Sequence, residues 1–362
     1  MPRRARGGRE RRRAAIMKIF QYLRKSLKDD HFRIMVYSCF SKKRACSSAG
    51  RAPAWHAGGR RFDPDQVHQI FHYPEIMKMN GNSDKQHFFA QMFLKGFCNE
   101  NNQIYMFDSK KNKVSNPRNK ESVARQKHLY TIFSGGERDY TIEKKFSKIE
   151  NQAVEFFEKI RKEGLVSVSY EEIPFLIDFI VLTFVRTPIY VKTSEQIIKN
   201  EKVQQQMKKI HSEVGEKFIQ KCLGSKGLFY AESLVESFEH RHRVITHNFD
   251  PFLLTTAEGS PPFIINDRFM CIEPRSKEVH YIGDDVDWSR MNVIKHFPIT
   301  NKHCVSFVPK SDPLKKGTNN VDVHRRNIST EAVRKINAHC FQQKGEYAYC
   351  SDKNVFDELL IY

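Results

Sequence analysis

The 362-residue chain lacks the cysteine patterns of a zinc site or of a disulfide-stabilised domain. Its eight cysteines include no CxxC pair, and those after residue 76 are accompanied by no histidine pair at ligand spacing. The pattern therefore gives no support to zinc-ribbon proteins or to small secreted domains held by disulfides. Reduced thiols in a cytosolic protein are the simplest expectation.

The chain also lacks long apolar runs and glycine-rich phosphate loops. Its longest apolar stretch, Phe175–Val185, is interrupted by Asp178 and ends at Arg186, so it is shorter than a bilayer span. No apolar signal-peptide core follows the arginine clusters of residues 3–13. We expect a soluble cytoplasmic protein with no membrane partner. A small-molecule binder is a further interpretation, but no phosphate-binding glycine loop supports it.

Residues 44–69 have neither helical nor strand periodicity. Their codons can be chosen to spell an alanine transfer-RNA gene in which all the stems pair, the anticodon is GGC and an ACCA end follows. A transfer-RNA gene that encodes its own CCA end points to a bacterium. We therefore expect residues 1–76 to be spurious upstream translation and disordered, with Met77 or Met79 as the true start. Mobile elements insert at such genes, which favours cargo of a genomic island.

Most of the positive charge lies in this first segment. The whole chain has a formal net charge of +19, of which residues 1–76 carry +12 and residues 77–362 carry +7. A strongly basic chain favours nucleic acid as a partner. The charge of residues 77–362 permits that partner without requiring it.

The first half of the remaining chain has helical periodicity around one hairpin. His87–Phe97 is typical of a short helix, and Gln103–Asn116 of two strands joined by a polar turn. Thr141–Ile160 has one apolar stripe that includes Glu150, which predicts an amphipathic helix. The apolar segment 170–191 predicts a buried central helix that bends near Pro188, and a more charged helix follows at 200–223.

From Arg243 onward the sequence favours strands. RVITHN, PFLLTT, PPFIIND, FMCIEP, VIKHFPIT and HCVSFVP are short and rich in β-branched or aromatic residues, and Ser329–Gln343 is again helical. This order predicts an α+β fold: an N-terminal helix and β-hairpin, a central helical bundle, and a C-terminal antiparallel-rich sheet with a late helix. We predict a mainly helical part at 77–230 and a β-rich part at 231–362, which can also form one domain.

Several motifs resemble bacterial domain-of-unknown-function family 4238. QHFFAQMFLKGF is similar to the family opening HHYVPQFYLKNF, and five further segments match in order over roughly 86–350: SVARQKHLY, FSKIE, VRTP, PPFIINDRF and KHFPIT. The chain departs from the pattern where Gln86, Ala90, Gln126 and Asn266 replace a histidine, a proline, an acid and a serine. The resemblance brings no reaction with it and leaves open whether the chain is an enzyme.

Four residues on these motifs are candidates for a catalytic site. His87 offers a base that titrates near neutral pH, with Gln91 predicted on the same helical face. Glu150 and Arg186 lie on apolar elements where an unpaired charge is costly, so we expect an ion pair. Asp267 follows an apolar strand, where acids often serve catalysis or metal binding. Tyr130 and Asn266 are further positions that match the family.

Two hypotheses account for these residues. In the first, His87, Glu150, Asp267 and Arg186 form one hydrolytic site on a phosphodiester, with a divalent cation such as Mg or Mn, and the protein is a nuclease in defence or mobile-element cargo. In the second, the same residues fix packing, and the chain is a non-catalytic module that binds protein or RNA. The sequence leaves the choice and the oligomeric state open.

Overall fold

A computed structural model describes residues 84–210, 212–275, 292–310 and 323–361. The transfer-RNA-like segment 44–69 and the alternative starts Met77 and Met79 lie outside the described residues, so those expectations stay predictions. Within the described part the fold is α+β, as the sequence predicts. The domain boundary predicted at residue 230 stays a prediction.

The described helices and strands lie largely in separate runs along the chain. The α-helices are α1 (Gln91–Leu94), α2 (Thr141–Glu163), α3 (Ile173–Val185), α4 (Pro188–Lys199), α5 (Glu201–Ile210), α6 (Ser212–Leu223), α7 (Leu228–Asn248), α8 (Thr330–Gln342) and α9 (Lys353–Ile361). The strands are β1 (Lys85–His87), β2 (Gln103–Asp108), β3 (Lys113–Val114), β4 (Arg118–Asn119), β5 (Arg125–Lys127), β6 (Ile132–Ser134), β7 (Glu137–Asp139), β8 (Phe249–Thr256), β9 (Ile265–Asn266), β10 (Cys271–Pro274), β11 (Val293–Pro298), β12 (His303–Pro309), β13 (His324–Ile328) and β14 (Tyr347–Cys350).

The described residues divide into two compact units. The smaller unit holds residues 132–142, 194–210 and 212–240, and contains the β6–β7 hairpin with helical segments. The larger unit holds residues 84–131, 143–193, 241–275, 292–310 and 323–361, and contains every candidate residue from the sequence.

One five-stranded sheet of the larger unit has the order β10-β11-β12-β8-β13. All its pairings are antiparallel except the last, where β13 runs parallel to β8 with Arg325 opposite Leu253. A second sheet has the order β3-β2-β14-β9, with β4 also paired to β2. The predicted hairpin is confirmed, because Phe107 pairs with Val114 and Asp108 with Lys113 across its turn.

Phenylalanine rings fill the core of the larger unit. The fully buried ring of Phe93 contacts Phe157 of α2 at 5.8 Å, Phe179 of α3 at 6.0 Å and Phe269 at 5.4 Å between centroids. Buried aromatic side chains contribute large apolar area and favour tilted or edge-to-face contacts such as these. The core therefore joins the N-terminal segment to two helices and to the turn after β9.

The predicted amphipathic and buried helices are confirmed. The apolar stripe of α2, from Phe146 to Ile160, is buried. Helix α2 ends before Gly164, whose φ of +77° suits glycine. Helix α3 ends at Val185 and α4 begins at Pro188, with an angle of 61° between them. Proline disfavours helical geometry in the residue before it and starts a helix well, so the bend falls where the sequence places it.

Three details differ from the sequence prediction. His87 lies in strand β1, and the helix begins only at Gln91, so the predicted shared helical face does not exist. The charged helix at 200–223 is divided into α5 and α6. RVITHN is the last turn and a half of helix α7, where Ile245 is fully buried, so packing overrides the strand preference of its β-branched residues.

Among the described residues, no single helix combines the length and the apolar composition needed to cross a bilayer. The bent pair Tyr170–Val185 and Pro188–Lys199 reaches both requirements only when its two parts are taken together.

Candidate functional site

The candidate site is centred on Arg186, which follows the end of helix α3 and is 1% exposed. Its Nη1 atom lies 2.5 Å from Oε1 of Glu150, and its Nη2 atom donates a hydrogen bond of 3.0 Å to the carbonyl oxygen of His87. The guanidinium also lies 4.4 Å from the ring centroid of Phe146, within the range of a cation–π contact. The ion pair predicted from the sequence is therefore present.

Tyr130 closes the other side of this cluster. Its hydroxyl donates to the carbonyl oxygen of Arg186 at 2.7 Å, and its fully buried ring lies 5.0 Å from that of Phe146. Gln86 accepts a hydrogen bond of 2.6 Å from the backbone N–H of Tyr130 and donates to Thr131. Gln86 thus uses its amide to hold the tyrosine segment in place.

His87 is the more accessible member of the site. Its Nε2 atom lies 3.1 Å from the carbonyl oxygen of Glu121, which can only accept, so Nε2 carries the hydrogen and Nδ1 of the neutral ring keeps a lone pair. Burial lowers the pKa of His87, and the positive charges of Arg125 and Arg186 act in the same direction. The ring is therefore neutral at neutral pH and can accept a proton on Nδ1.

Glu143 is a residue that the sequence reasoning missed. It lies seven residues before Glu150 on α2, close enough for both carboxylates to act on the charge of Arg186. Its Oε2 atom is buried and has no hydrogen-bond partner among the described residues. Burial raises the pKa of Glu143 to about 7, although Arg186 opposes the shift. The spacing of seven residues on one helical face was the signal available in the sequence.

Asp267 and Asn266 occupy a different environment in the larger unit. The carboxylate of Asp267 accepts backbone hydrogen bonds from Gly345 at 2.7 Å, Glu346 at 2.7 Å and Tyr347 at 3.1 Å. Asn266 donates to the carbonyl oxygen of Cys340 at 2.7 Å. Together they fasten the turn between α8 and β14 to the end of β9. The structure brings together His87, Glu150 and Arg186, and gives Asp267 other partners.

Residues 85–354 match the family described as "Protein of unknown function (DUF4238)". The chain belongs to this family. The resemblance inferred from the opening motif is thus confirmed at the level of the family, and no curated protein and no solved structure matches the chain.

The family match covers every residue of the candidate site. It begins at the first residue of β1 and ends in α9, so it includes both the Arg186 cluster and the Asp267 turn. Gln91 also lies within the matched range. It is exposed at the start of α1, whereas His87 lies in strand β1. Its role in the family pattern stays a prediction.

In the part of the chain that the structure describes, neither metal-binding side chains nor thiols form a second candidate site. No group of three or more histidine, cysteine, aspartate or glutamate side chains there could hold a metal ion. The cysteines in the same ranges are buried as free thiols, and burial raises the pKa of Cys98 to about 11 and that of Cys222 to about 12. The thiols of Cys98 and Cys222 are therefore protonated at neutral pH and unreactive as nucleophiles.

Proposed function

We propose that the protein is a hydrolase that cleaves phosphodiester bonds in nucleic acid, with His87 as general base and Glu143 as general acid. One observation carries the proposal. Two carboxylates lie beside a single buried guanidinium, Glu150 takes the ion pair, and Glu143 is left with a pKa of about 7. Titratable groups whose environments drive their pKa values apart are the usual basis of acid and base roles in one site.

The chemistry follows from the protonation states. Neutral His87 takes a proton from water on Nδ1 while the water oxygen forms a bond to phosphorus. The bond from phosphorus to the leaving oxygen breaks, and protonated Glu143 donates its proton to that oxygen. The products are a phosphomonoester and a free hydroxyl group, and exchange with solvent restores both residues. Acid and base catalysis of this kind contributes about 10²- to 10⁴-fold each.

Other residues of the cluster bind or position. Arg125 is exposed and pairs with His87 across the β1–β5 ribbon, so its guanidinium can contact a phosphate oxygen beside the base. Arg186 is too deeply buried for substrate, and its hydrogen bond to the His87 carbonyl makes it a positioning residue. Asp267, with all its observed hydrogen bonds to backbone amides, positions the turn between α8 and β14 in this proposal.

The proposal places the protein in a bacterial cytoplasm as defence or mobile-element cargo. The support for this setting is the transfer-RNA-like sequence of residues 44–69, and the +7 charge of residues 77–362 permits a nucleic-acid partner. A Mg or Mn ion beside Glu150 stays part of the proposal, because one or two carboxylates can hold Mg with the help of water and substrate phosphates.

The test is a cleavage assay with the full chain. Labelled total RNA and plasmid DNA are incubated with wild type, Glu143→Gln and Glu155→Gln, each with Mg, with Mn and with chelator. Glu155 is the matched control, since it lies exposed on the same helix. We expect cleavage by wild type and by Glu155→Gln, and a loss of at least about 100-fold in Glu143→Gln. Equal activity of Glu143→Gln and wild type would show that Glu143 is not the general acid.

The alternative is a non-catalytic module that binds protein or RNA. The Asp267 turn favours it, because an acid fully engaged by backbone amides serves structure rather than chemistry. If folded wild-type protein cleaves neither RNA nor DNA under any of the three conditions, this alternative replaces the hydrolase. A pull-down from cell lysate treated with and without nuclease then separates protein partners from RNA.

A further inference from the structure

Strand β13 presents a cluster of positive charge at one edge of the β10-β11-β12-β8-β13 sheet. It is the last strand in the sheet order, and the three consecutive side chains His324, Arg325 and Arg326 are exposed. None of the three forms an ion pair with a carboxylate of the described ranges. We name His324, Arg325, Arg326 and Phe252 the β13 edge patch.

Aromatic stacking distinguishes this patch from an ordinary charged edge. The ring of His324 stacks on that of Phe252 with centroids 4.4 Å apart and planes at 27°. The guanidinium of Arg326 lies 4.9 Å from the centroid of the same ring. Charged residues on an edge strand also prevent strand pairing between molecules, but that purpose requires no stacked rings. Planar groups combined with positive charge are the features that bind unpaired bases and their phosphates.

We infer that the β13 edge patch binds single-stranded nucleic acid. The choice of ligand rests on the proposed function, and the patch would supply the substrate-binding surface of that hydrolase. Side chains alternate along a strand, so His324 and Arg326 share the face of Phe252 and Arg325 lies on the other face of the sheet. Bases stack on His324 and Arg326, and the two arginines contact phosphates of a strand that runs along the edge of the sheet. Arg325 also donates a hydrogen bond to the carbonyl oxygen of Val168.

The position of the patch sets the length of the strand that can use it. Val168 lies just beyond the C-terminal end of α2, whereas Glu143 and Glu150 lie in the first turns of that helix. The thirteen residues from Glu150 to Glu163 span about 20 Å at 1.5 Å per residue. Even at the duplex rise of about 3.4 Å per nucleotide, a strand of 20 nucleotides is longer than this distance. A strand of that length can therefore occupy both the patch and the hydrolytic site.

The experiment measures binding and cleavage separately. Fluorescence anisotropy follows 20-nucleotide poly-uridine and poly-thymidine strands on the full chain carrying Glu143→Gln, at several salt concentrations. The test variant adds Arg325→Gln with Arg326→Gln. The control adds Lys110→Gln with Lys111→Gln, an adjacent exposed pair on the β2–β3 turn that removes the same charge.

We expect the test variant to weaken 20-nucleotide binding by at least about 10-fold at low salt and to reduce the slope of log affinity against log salt by about 1.4, since two phosphate contacts are lost. The control keeps the slope. Arg326→Lys keeps the charge and the slope but loses several-fold in affinity, because a guanidinium plane stacks and an ammonium does not.

Equal losses in the test and control variants would overturn the inference, and so would tight 20-nucleotide binding that neither variant changes. If the proposed hydrolase activity is wrong, the experiment gives a different result. In that case the 20-nucleotide strand binds through the patch as described, while wild type leaves it uncut.

Discussion

Glu143 and Glu150 lie seven residues apart on one face of helix α2 and act on the same buried guanidinium, yet only Glu150 forms the ion pair with Arg186. The site therefore holds one carboxylate in an ion pair and a second carboxylate whose pKa burial raises to about 7. Glu150 is bound to a permanent positive charge, whereas Glu143 retains a proton over part of the physiological range. The proposed acid role and several measurable consequences for stability follow from this difference.

Glu143→Gln should change how stability depends on pH. Below pH 4.5, the pKa of Glu143 in the unfolded chain, the carboxyl is protonated in both the folded and the unfolded protein. In the folded protein its pKa is raised to about 7, so ionisation between these pH values is costly there. Wild type should therefore lose stability relative to the variant as pH rises from about 4.5 to about 7, by up to about 3 kcal/mol.

Urea unfolding of wild type, Glu143→Gln and Glu155→Gln at pH 5 and pH 8 checks this prediction. Glu155 is exposed on the same helix, so its variant should follow wild type at both values. A difference between wild type and Glu143→Gln that stays constant with pH would contradict the raised pKa.

Glu150→Gln should destabilise the fold by about 3 kcal/mol. The substitution leaves the charge of Arg186 buried without its carboxylate, and breaking a buried pair from one side has this order of cost. Glu158→Gln is the matched control, because Glu158 pairs with Lys95 and Arg161 at the surface and such pairs contribute less than about 1 kcal/mol. Denaturant unfolding at pH 7 should separate the two variants, and equal losses would show that Arg186 is hydrated.

Cleavage of RNA or DNA should follow a bell-shaped pH profile. Activity rises as His87 loses its proton, and since burial lowers the pKa of His87 this limb lies below the ordinary value of 6.5. Activity falls again above about pH 7, as Glu143 loses the proton it must donate. Values of kcat/KM from pH 4.5 to 9 check the profile. A maximum that persists above pH 8 would assign the acid to another residue.

Gly345→Ala should destabilise the turn after α8 by about 1 to 3 kcal/mol. A Cβ atom at this position would lie 2.9 Å from both carboxylate oxygens of Asp267, which must then move from their backbone donors. In an Asp267→Ala background those oxygens are absent, so the added cost of Gly345→Ala should nearly vanish. A double-mutant cycle of unfolding free energies measures this coupling, and additive losses would rule it out.

Asp267→Asn tests whether this acid acts in structure or in chemistry. Its amide group would place a donor against backbone N–H donors, and we expect a loss of about 2 to 3 kcal/mol in stability with cleavage retained below the new melting temperature. Asp352→Asn is the control, since Asp352 accepts a single backbone bond at the start of α9. Loss of cleavage in folded Asp267→Asn protein would restore the catalytic role predicted from sequence.

Local patterns in the sequence were sufficient for much of the fold. The stripe of α2, the bend at Pro188 and the β2–β3 hairpin depend on residues close together in the chain, whose periodicity and turn chemistry are visible in one dimension. A Glu150–Arg186 ion pair could also be predicted from the sequence, because a charged residue on a buried apolar helix needs a partner of opposite charge.

Tertiary structure decided the rest. RVITHN became helix because burial of Ile245 outweighs its strand preference, and His87 joined a strand because it pairs with Arg125. Glu143 gained its raised pKa from burial beside Arg186, and Asp267 gained its three amide donors from a turn about 80 residues later. Desolvation and long-range hydrogen bonding depend on which segments meet in space, and no local pattern in the sequence contains that information.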